Sequence, residues 1–129
     1  MIKIKHRNIS NSAGPIVLLG AGINKISMRT IQSLLISNTY SAASRVTVYI
    51  QSVNKERTEK QQMFGVSEGE SFQRYNNAFL IINNLAVPRE TALDLFAGFP
   101  KGFSYNSNYE LVIVLGDVSH SVSTILAYE

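Results

Sequence analysis

Few residues of this chain have types and spacing that could support chemistry. Gly20-Ala21-Gly22 follows the apolar run Ile16 to Leu19, as the phosphate-binding turn does in dinucleotide-binding βαβ units. That turn needs a third glycine three residues further on, where this chain has Lys25, and an acid after the next strand to bind a ribose. The next predicted strand ends at Gln51, with no acid before Glu56. We therefore interpret Gly20–Gly22 as a bend in a strand.

A second group has the residue types of a hydrolase triad, namely Asp117, Ser119 and His120. Neighbouring residues of a strand point to opposite faces, so Ser119 and His120 could not approach each other there. A two-residue turn at Gly116-Asp117 would set a hairpin register that pairs Leu115 with Val118, Ile113 with His120 and Leu111 with Val122. This register places His120 on an apolar face, where we expect a hydrogen-bonded core or interface histidine and no catalysis.

The remaining ionisable residues predict no metal or acid–base site. His6 stands alone at the end of the first predicted strand, and the chain has two histidines and no cysteine. Without cysteine there is no disulfide framework, zinc ribbon or thiol catalysis. Glu68 and Glu70 flank Gly69, and nothing positions them as an acid–base pair. The sequence therefore predicts a protein with no catalytic, cofactor or metal site, which is not an enzyme.

The elements that position these residues are mostly strands. Apolar and polar residues alternate with a period of two in residues 45–51, in residues 78–84 and from Glu110 across the Gly116-Asp117 turn to Tyr128. Ile2 and Ile4 alternate with Lys3 and Lys5, which predicts a short first strand with one face turned inward. The pattern indicates an all-β protein, a single domain over residues 1–129. We expect an antiparallel, jelly-roll-like β-sandwich of about seven or eight strands with one long charged loop.

Residues 23–36 fit a helix or a strand. Ile23, Ile26, Ile31 and Leu34 could share one helical face, whereas the serine, threonine and isoleucine content favours a strand. A strand here would form a hairpin with the strand at Arg45, through a turn in residues 38–43. A helix here would favour a different hypothesis, a small α/β nucleotide-binding enzyme that uses Gly20–Gly22.

Residues 52–77 are rich in charged and amide side chains, with few apolar anchors. A connection of this length is unusual in a small domain. Two interpretations stay open, a solvated polar loop and an arm that becomes ordered on a neighbouring subunit.

Composition and charge limit the class of partner. The chain has 129 residues, 45% of them hydrophobic, which is enough for a core without a metal. No apolar run approaches the roughly 20 residues of a membrane span, and no export signal begins the chain, so we expect no membrane partner.

The charges of the chain are divided between its two ends. Seven basic and no acidic side chains lie between Met1 and Lys55, whereas all nine acids follow, against five bases. The division favours complementary contacts between proteins over charge scatter, and it disfavours nucleic acid because the seven bases are spread thinly through apolar strands.

The order of strands and turns resembles small β-sandwich virion proteins of tailed bacteriophages. The likeness lies in residues 35–39 leading into 46–50, in Phe79–Ile82 followed by residues 85–88 and 91–95, and in the closing strands 111–115 and 122–128. It covers most of residues 26–129. The resemblance implies a non-enzymatic virion component that is made in the host cytoplasm and oligomerises or docks on major capsid or neck and tail proteins. We expect it to decorate or cement the capsid, with an adaptor at the neck or tail as the alternative. It carries over no active-site residue.

A different class of function remains open. A carbohydrate-binding or receptor-binding β-sandwich module would present exposed aromatic rings in its loops. Phe103, Tyr105 and Tyr109 are the residues in which we would expect such rings.

Overall fold

The computed structural model describes residues 1–10, 14–21, 28–52, 78–117 and 119–129, and these residues form nine strands and no helix. The all-β prediction is therefore confirmed, including the strand reading of residues 28–36. The strands are β1 (Lys3–Ser10), β2 (Ile16–Leu19), β3 (Met28–Asn38), β4 (Ser44–Ser52), β5 (Ala78–Val87), β6 (Ala92–Asp94), β7 (Phe103–Asn106), β8 (Tyr109–Leu115) and β9 (Ser121–Tyr128). The charged stretch of residues 53–77 lies outside the described residues.

Two antiparallel sheets pack face to face as a β-sandwich. The first, sheet A, has the strand order β1-β9-β3-β6, and β7 pairs with the other end of β3 beside β6. The second, sheet B, has the order β2-β8-β4-β5. Because β6 and β7 share one edge of β3, nine strands occupy eight positions, in agreement with the predicted number.

The pairing of the strands has a simple rule. Strands from the first part of the chain pair with strands from the second part in reverse order: β1 with β9, β2 with β8, β3 with β7 and β6, and β4 with β5. The chain is thus one long hairpin folded over into two layers, which is the jelly-roll arrangement. The predicted jelly-roll-like sandwich is confirmed.

Two predicted hairpins are wrong. The strands on either side of residues 39–43 are β3 and β4, which lie in different sheets, and so do β8 and β9 on either side of Gly116-Asp117. Both connections cross from one sheet to the other. At the second crossing the Gly116 amide donates a 2.8 Å hydrogen bond to the carbonyl of Arg45, which ties the end of β8 to β4. The register that placed Ile113 opposite His120 therefore does not occur.

The main core lies between the inner faces of the two sheets. Alternate residues of the central strands are fully buried there, together with Phe96 from the turn after β6. The central contributors are Ile31, Leu34, Ile36, Val46, Val48, Leu111, Ile113, Val122 and Leu126. Branched side chains with restricted rotamers suit this pleated, two-sided interior.

The central strands of sheet B, β4 and β8, are also buried on their outer face. Tyr49, Val112 and Val114 form a second buried cluster, and Ala78 and Leu80 pack against it. The intervening residues of β4 and β8 belong to the main core, so these two strands are apolar on both faces. Strands that are buried on both faces typically have apolar residues at consecutive positions.

The inward face of β1 is the face that carries Lys5 and Arg7, not the face that carries Ile4. Ile9 is buried against the core, and the period of two places Lys5 and Arg7 on the same face as Ile9. Ile4, which lies on the opposite face, is 59% exposed. The register explains this, because Ile9 pairs with the buried Val122 of β9. Ile4 is therefore a surface residue, and Lys5 faces the gap between the sheets.

The different positions of two isoleucines predict different costs of truncation. Ile113→Ala would leave a cavity in the main core and lower the free energy of unfolding by about 2–5 kcal/mol. The matched change Ile4→Ala should alter it by less than about 0.5 kcal/mol, since that side chain is on the surface. Urea denaturation measures both, and equal losses would contradict the assignment of faces in β1.

Candidate functional site

His120 lies in the crossing between β8 and β9 and contacts the crossing that leads from β3 into β4. Its Nδ1 atom is 3.0 Å from the hydroxyl oxygen of Ser44, and its Nε2 atom is 3.6 Å from Oδ2 of Asp117. Its ring stacks on Tyr40 with 4.2 Å between the ring centroids. The prediction of a hydrogen-bonded histidine is confirmed, although the contacts come from loops and not from a hairpin face.

Ser44, His120 and Asp117 have the connectivity of a catalytic triad, but their accessibility is wrong for one. Ser44 is 0% exposed, so a substrate could not reach its hydroxyl group. That hydroxyl is also 3.3 Å from Oδ1 of Asn38. Ser119, the nucleophile suggested by the sequence, donates a 2.8 Å hydrogen bond to Asp117 Oδ1. The arrangement connects loops and presents no activated nucleophile.

Asn38 is the centre of this polar cluster. Its amide nitrogen donates to the carbonyl oxygens of Ala42, at 2.8 Å, and Val87, at 2.9 Å. Its amide oxygen accepts from the Tyr40 backbone at 2.8 Å and from the Ser44 hydroxyl. One buried side chain thus joins the end of β3 to the end of β5 and to the turn that leads into β4. The sequence offered no signal for the contact with Val87, which is 49 positions from Asn38 in the chain.

Asp117 is stabilised in its ionised form. The backbone amide of Ser119, at 2.9 Å, and the Ser119 hydroxyl both donate to it, and these hydrogen bonds lower the pKa of the carboxyl group. The nearby His120 lowers this pKa further. The carboxylate therefore closes its own turn and helps to orient the histidine.

The other chemical candidates do not assemble into a site. Gly20 is an exposed residue directly after β2, and its carbonyl oxygen accepts a hydrogen bond from the Arg29 guanidinium group. This contact links sheet B to β3 of sheet A, in keeping with a structural bend. His6 lies on the outward face of β1, and the described residues contain no group of three or more potential metal ligands. Gly22, Lys25, Glu68 and Glu70 lie outside the described residues.

Of the three aromatic residues proposed for carbohydrate binding, one is buried and two are half-buried. Phe103 and Tyr109 pack against the main core, and Tyr105 is buried within it. Burial raises the pKa of the Tyr105 hydroxyl, while the nearby Arg29 partly offsets this effect. These rings lie on strands β7 and β8, so they do not form the exposed stacking platform that such a site requires.

A basic edge is the clearest charged feature of the described surface. We use this name for Lys3, Lys5 and Arg7, which share the inward face of β1 and are all exposed. A cleft of about 290 Å³ opens beside them, between β1 of sheet A and β2 of sheet B. Its described lining consists of Lys5, His6, Arg7, Val17, Leu18, Gly20, Thr124 and Leu126, without a carboxylate.

The basic edge has no internal counter-charge among the described residues. The ion pairs of that part of the chain join the Met1 amino group to Glu129 at 3.7 Å and His120 to Asp117. The cationic groups of β1 are consequently available to an external partner.

The outward face of sheet A, called outer face A below, is the second notable surface of the described residues. Strand register places its residues in three rows: Ile4, Ala127 and Ser33; His6, Ile125, Leu35 and Asp94; and Asn8, Ser123, Ser37 and Ala92. Ile4 and Ile125 are exposed, and Asp94 is the single carboxylate of these rows. Small polar and aliphatic residues thus cover a pleated face that carries almost no charge.

Comparisons with known proteins identify no relative. No family model, no curated protein and no solved structure matches this chain. In the part of the chain that the structure describes, no helix is long and apolar enough to cross a membrane. The candidate site is therefore defined by its own geometry, as two adjoining surfaces, the basic edge and outer face A.

The buried hydrogen bonds of Asn38 predict a sensitive position. Asn38→Asp replaces a donor by a carboxylate oxygen facing two carbonyl oxygens, which should lower the free energy of unfolding by about 3 kcal/mol or more at pH 7. The same change at the exposed Asn83 of β5 is the control and should have little effect. Chemical denaturation compares the two, and similar stabilities would contradict the structural role of Asn38.

The hydrogen bonds from Ser119 predict a pH effect at Asp117. In the folded state its pKa is below the unfolded value, so its contribution to stability is present above the unfolded pKa and is lost as pH falls through the folded pKa. Ser119→Ala removes the hydroxyl donor and should raise the folded pKa toward its ordinary value. Carboxyl-detected NMR titration measures this pKa, and an unchanged value would show that the hydroxyl does not contribute.

Proposed function

We propose that this protein is a non-enzymatic structural component of a tailed-phage virion, which docks on other particle proteins or oligomerises with its own copies. Decoration or cementing of the capsid is the preferred role, and an adaptor at the neck or tail is the alternative. Outer face A is the observation that carries the proposal. It exposes Ile4 and Ile125 on a pleated surface whose described rows hold one carboxylate, that of Asp94.

A surface of this kind favours contact with protein over contact with a small substrate. It is the outer face of a sheet, and its described rows hold only His6 and Asp94 as ionisable groups, whereas catalytic sites combine a concavity with groups of shifted pKa. Contiguous apolar residues on the outside of a sheet are typical of association surfaces. Repeated copies in a particle would supply symmetric partners for such a face.

The jelly-roll fold supports the virion role only by analogy, because the same fold occurs in proteins of several functions. Jelly rolls are found in viral capsid proteins, lectins and metal-binding cupins. Here the described interior is filled by aliphatic and phenyl groups, with no group of potential metal ligands, which argues against the cupin type. Burial of Tyr105 and packing of Phe103 and Tyr109 in the core weaken the carbohydrate-binding alternative. The virion hypothesis retains the most support.

Self-association through outer face A can be tested by charge insertion. We expect the purified wild-type chain to associate with increasing concentration in sedimentation velocity. Ile125→Lys, in the middle of the face, should weaken this association by about tenfold or more, since burying a lysine there is costly. The control is Leu85→Lys on β5, because Leu85 is 37% exposed and Ile125 38%. A wild-type monomer at all concentrations that also fails to join particles would contradict the proposal.

The position in the particle needs a separate experiment. A cryo-EM map of the native assembly would place a decoration protein in many copies over the capsid lattice and an adaptor in a single ring at one vertex. Outer face A should be covered in either case. Absence of the chain from the map, or a fully solvated outer face A, would overturn the virion role.

A further inference from the structure

The geometry points to the basic edge as a docking site for an extended acidic segment of a partner protein. The segment would add to β1 as a further strand of sheet A and place its carboxylates beside Lys3, Lys5 and Arg7. The inference rests on the proposed function for the identity of the partner, a particle protein, and goes beyond it by naming the chemistry of the contact.

The first support is the unpaired side of β1. Within the described sheet A, β1 pairs with β9 on one side and has no strand on the other. An antiparallel edge strand directs alternate backbone N–H and C=O groups away from its neighbour, so they can bind an added strand. Six consecutive residues, Lys3 to Asn8, are exposed, which leaves this edge accessible.

The second support is the spacing of the charges. The side chains of Lys3, Lys5 and Arg7 follow one another at every second position, which corresponds to a spacing of about 6.6–6.8 Å along a strand. An added strand with carboxylates at every second residue has the same repeat. Each acid would then face a cation as a cross-strand pair of opposite charge, an arrangement that stabilises paired strands.

The opposite face of the added strand defines the rest of the partner's pattern. Residues between the acids would point outward beside Ile4 and extend outer face A, where aliphatic side chains fit. The expected segment therefore alternates acidic and aliphatic residues. An acidic tail without this alternation would match the charge of the edge but not its two faces.

The same observations disfavour a nucleic acid. Single-stranded nucleic acids bind to basic grooves that also offer aromatic rings for base stacking. The described lining of the edge cleft has aliphatic residues, Thr124 and His6 beside its two cations, and no Phe, Tyr or Trp ring. The exposed Phe79 and Phe99 belong to β5 and to the turn after β6, on other parts of the molecule.

The experiment measures fluorescence anisotropy with a labelled synthetic peptide, Thr-Glu-Val-Glu-Val-Glu-Thr, and the full chain. Two control peptides test the spacing of the charges and the backbone hydrogen bonds separately. The first has the same composition with the three glutamates contiguous, and the second is N-methylated on the amides that would donate hydrogen bonds to β1. A labelled oligothymidine tests the nucleic-acid alternative.

A pair of matched variants separates the local charge from the net charge. Lys5→Gln with Arg7→Gln removes two charges from the basic edge. Arg89→Gln with Lys101→Gln removes two exposed charges from turns elsewhere. We expect the first pair to weaken binding of the alternating peptide by about tenfold and the second by less than about twofold. Circular dichroism confirms that both remain folded.

Strand addition and its alternatives predict different binding results. Binding that is lost with the N-methylated and contiguous peptides supports strand addition. No binding of the alternating peptide to the wild type overturns it and leaves the charges as protection of a free edge. Equal binding of the N-methylated peptide, or equally tight binding of oligothymidine, also overturns it. A chain found on native particles that does not bind the peptide refutes this inference alone, whereas peptide binding by a chain absent from particles refutes only the virion role.

Discussion

The structure depends on one constraint, the antiparallel pairing of the first part of the chain with the second part in reverse order. Because β1 pairs with β9 and β2 with β8, the inner faces of both sheets meet and bury Leu34, Ile113 and Leu126 in one core. The crossing from β3 to β4 and the end of β5 are then brought together, and Asn38 connects them. Each layer buries its inner apolar face against the other.

The same constraint produces the two surfaces that carry the functional proposals. A sheet has two edges, and β1 occupies one edge of sheet A with its cations turned toward the gap between the layers. A sandwich also has two outer faces. That of sheet B contains the buried cluster around Tyr49, while outer face A exposes Ile4 and Ile125. In the proposed function, outer face A is the side that contacts neighbouring molecules.

The alternation of residues was sufficient to locate the strands and insufficient to arrange them. The period of two is a local property, so β4, β5 and β8 could be recognised directly. Turn chemistry at Gly116-Asp117 does not distinguish a hairpin from a crossing between sheets, because both need a tight change of direction. In β1 hydrophobicity selected the wrong face, since an edge strand that borders an open cleft can keep lysine solvated while facing inward. The contact between Ser44 and His120 joins positions 76 apart, which no local pattern encodes.

The place of β9 has a consequence for biosynthesis. This strand lies between β1 and β3, so sheet A has no continuous hydrogen-bonded ladder until β9 has left the ribosome. The β4–β5 pair can form earlier, whereas β1 must wait for a partner more than a hundred positions downstream, and the Ser123 hydroxyl bonds Asn8 across a separation of 115. Sheet A therefore closes late in folding, and its inner apolar side chains stay exposed until β9 is available to pair with β1 and β3.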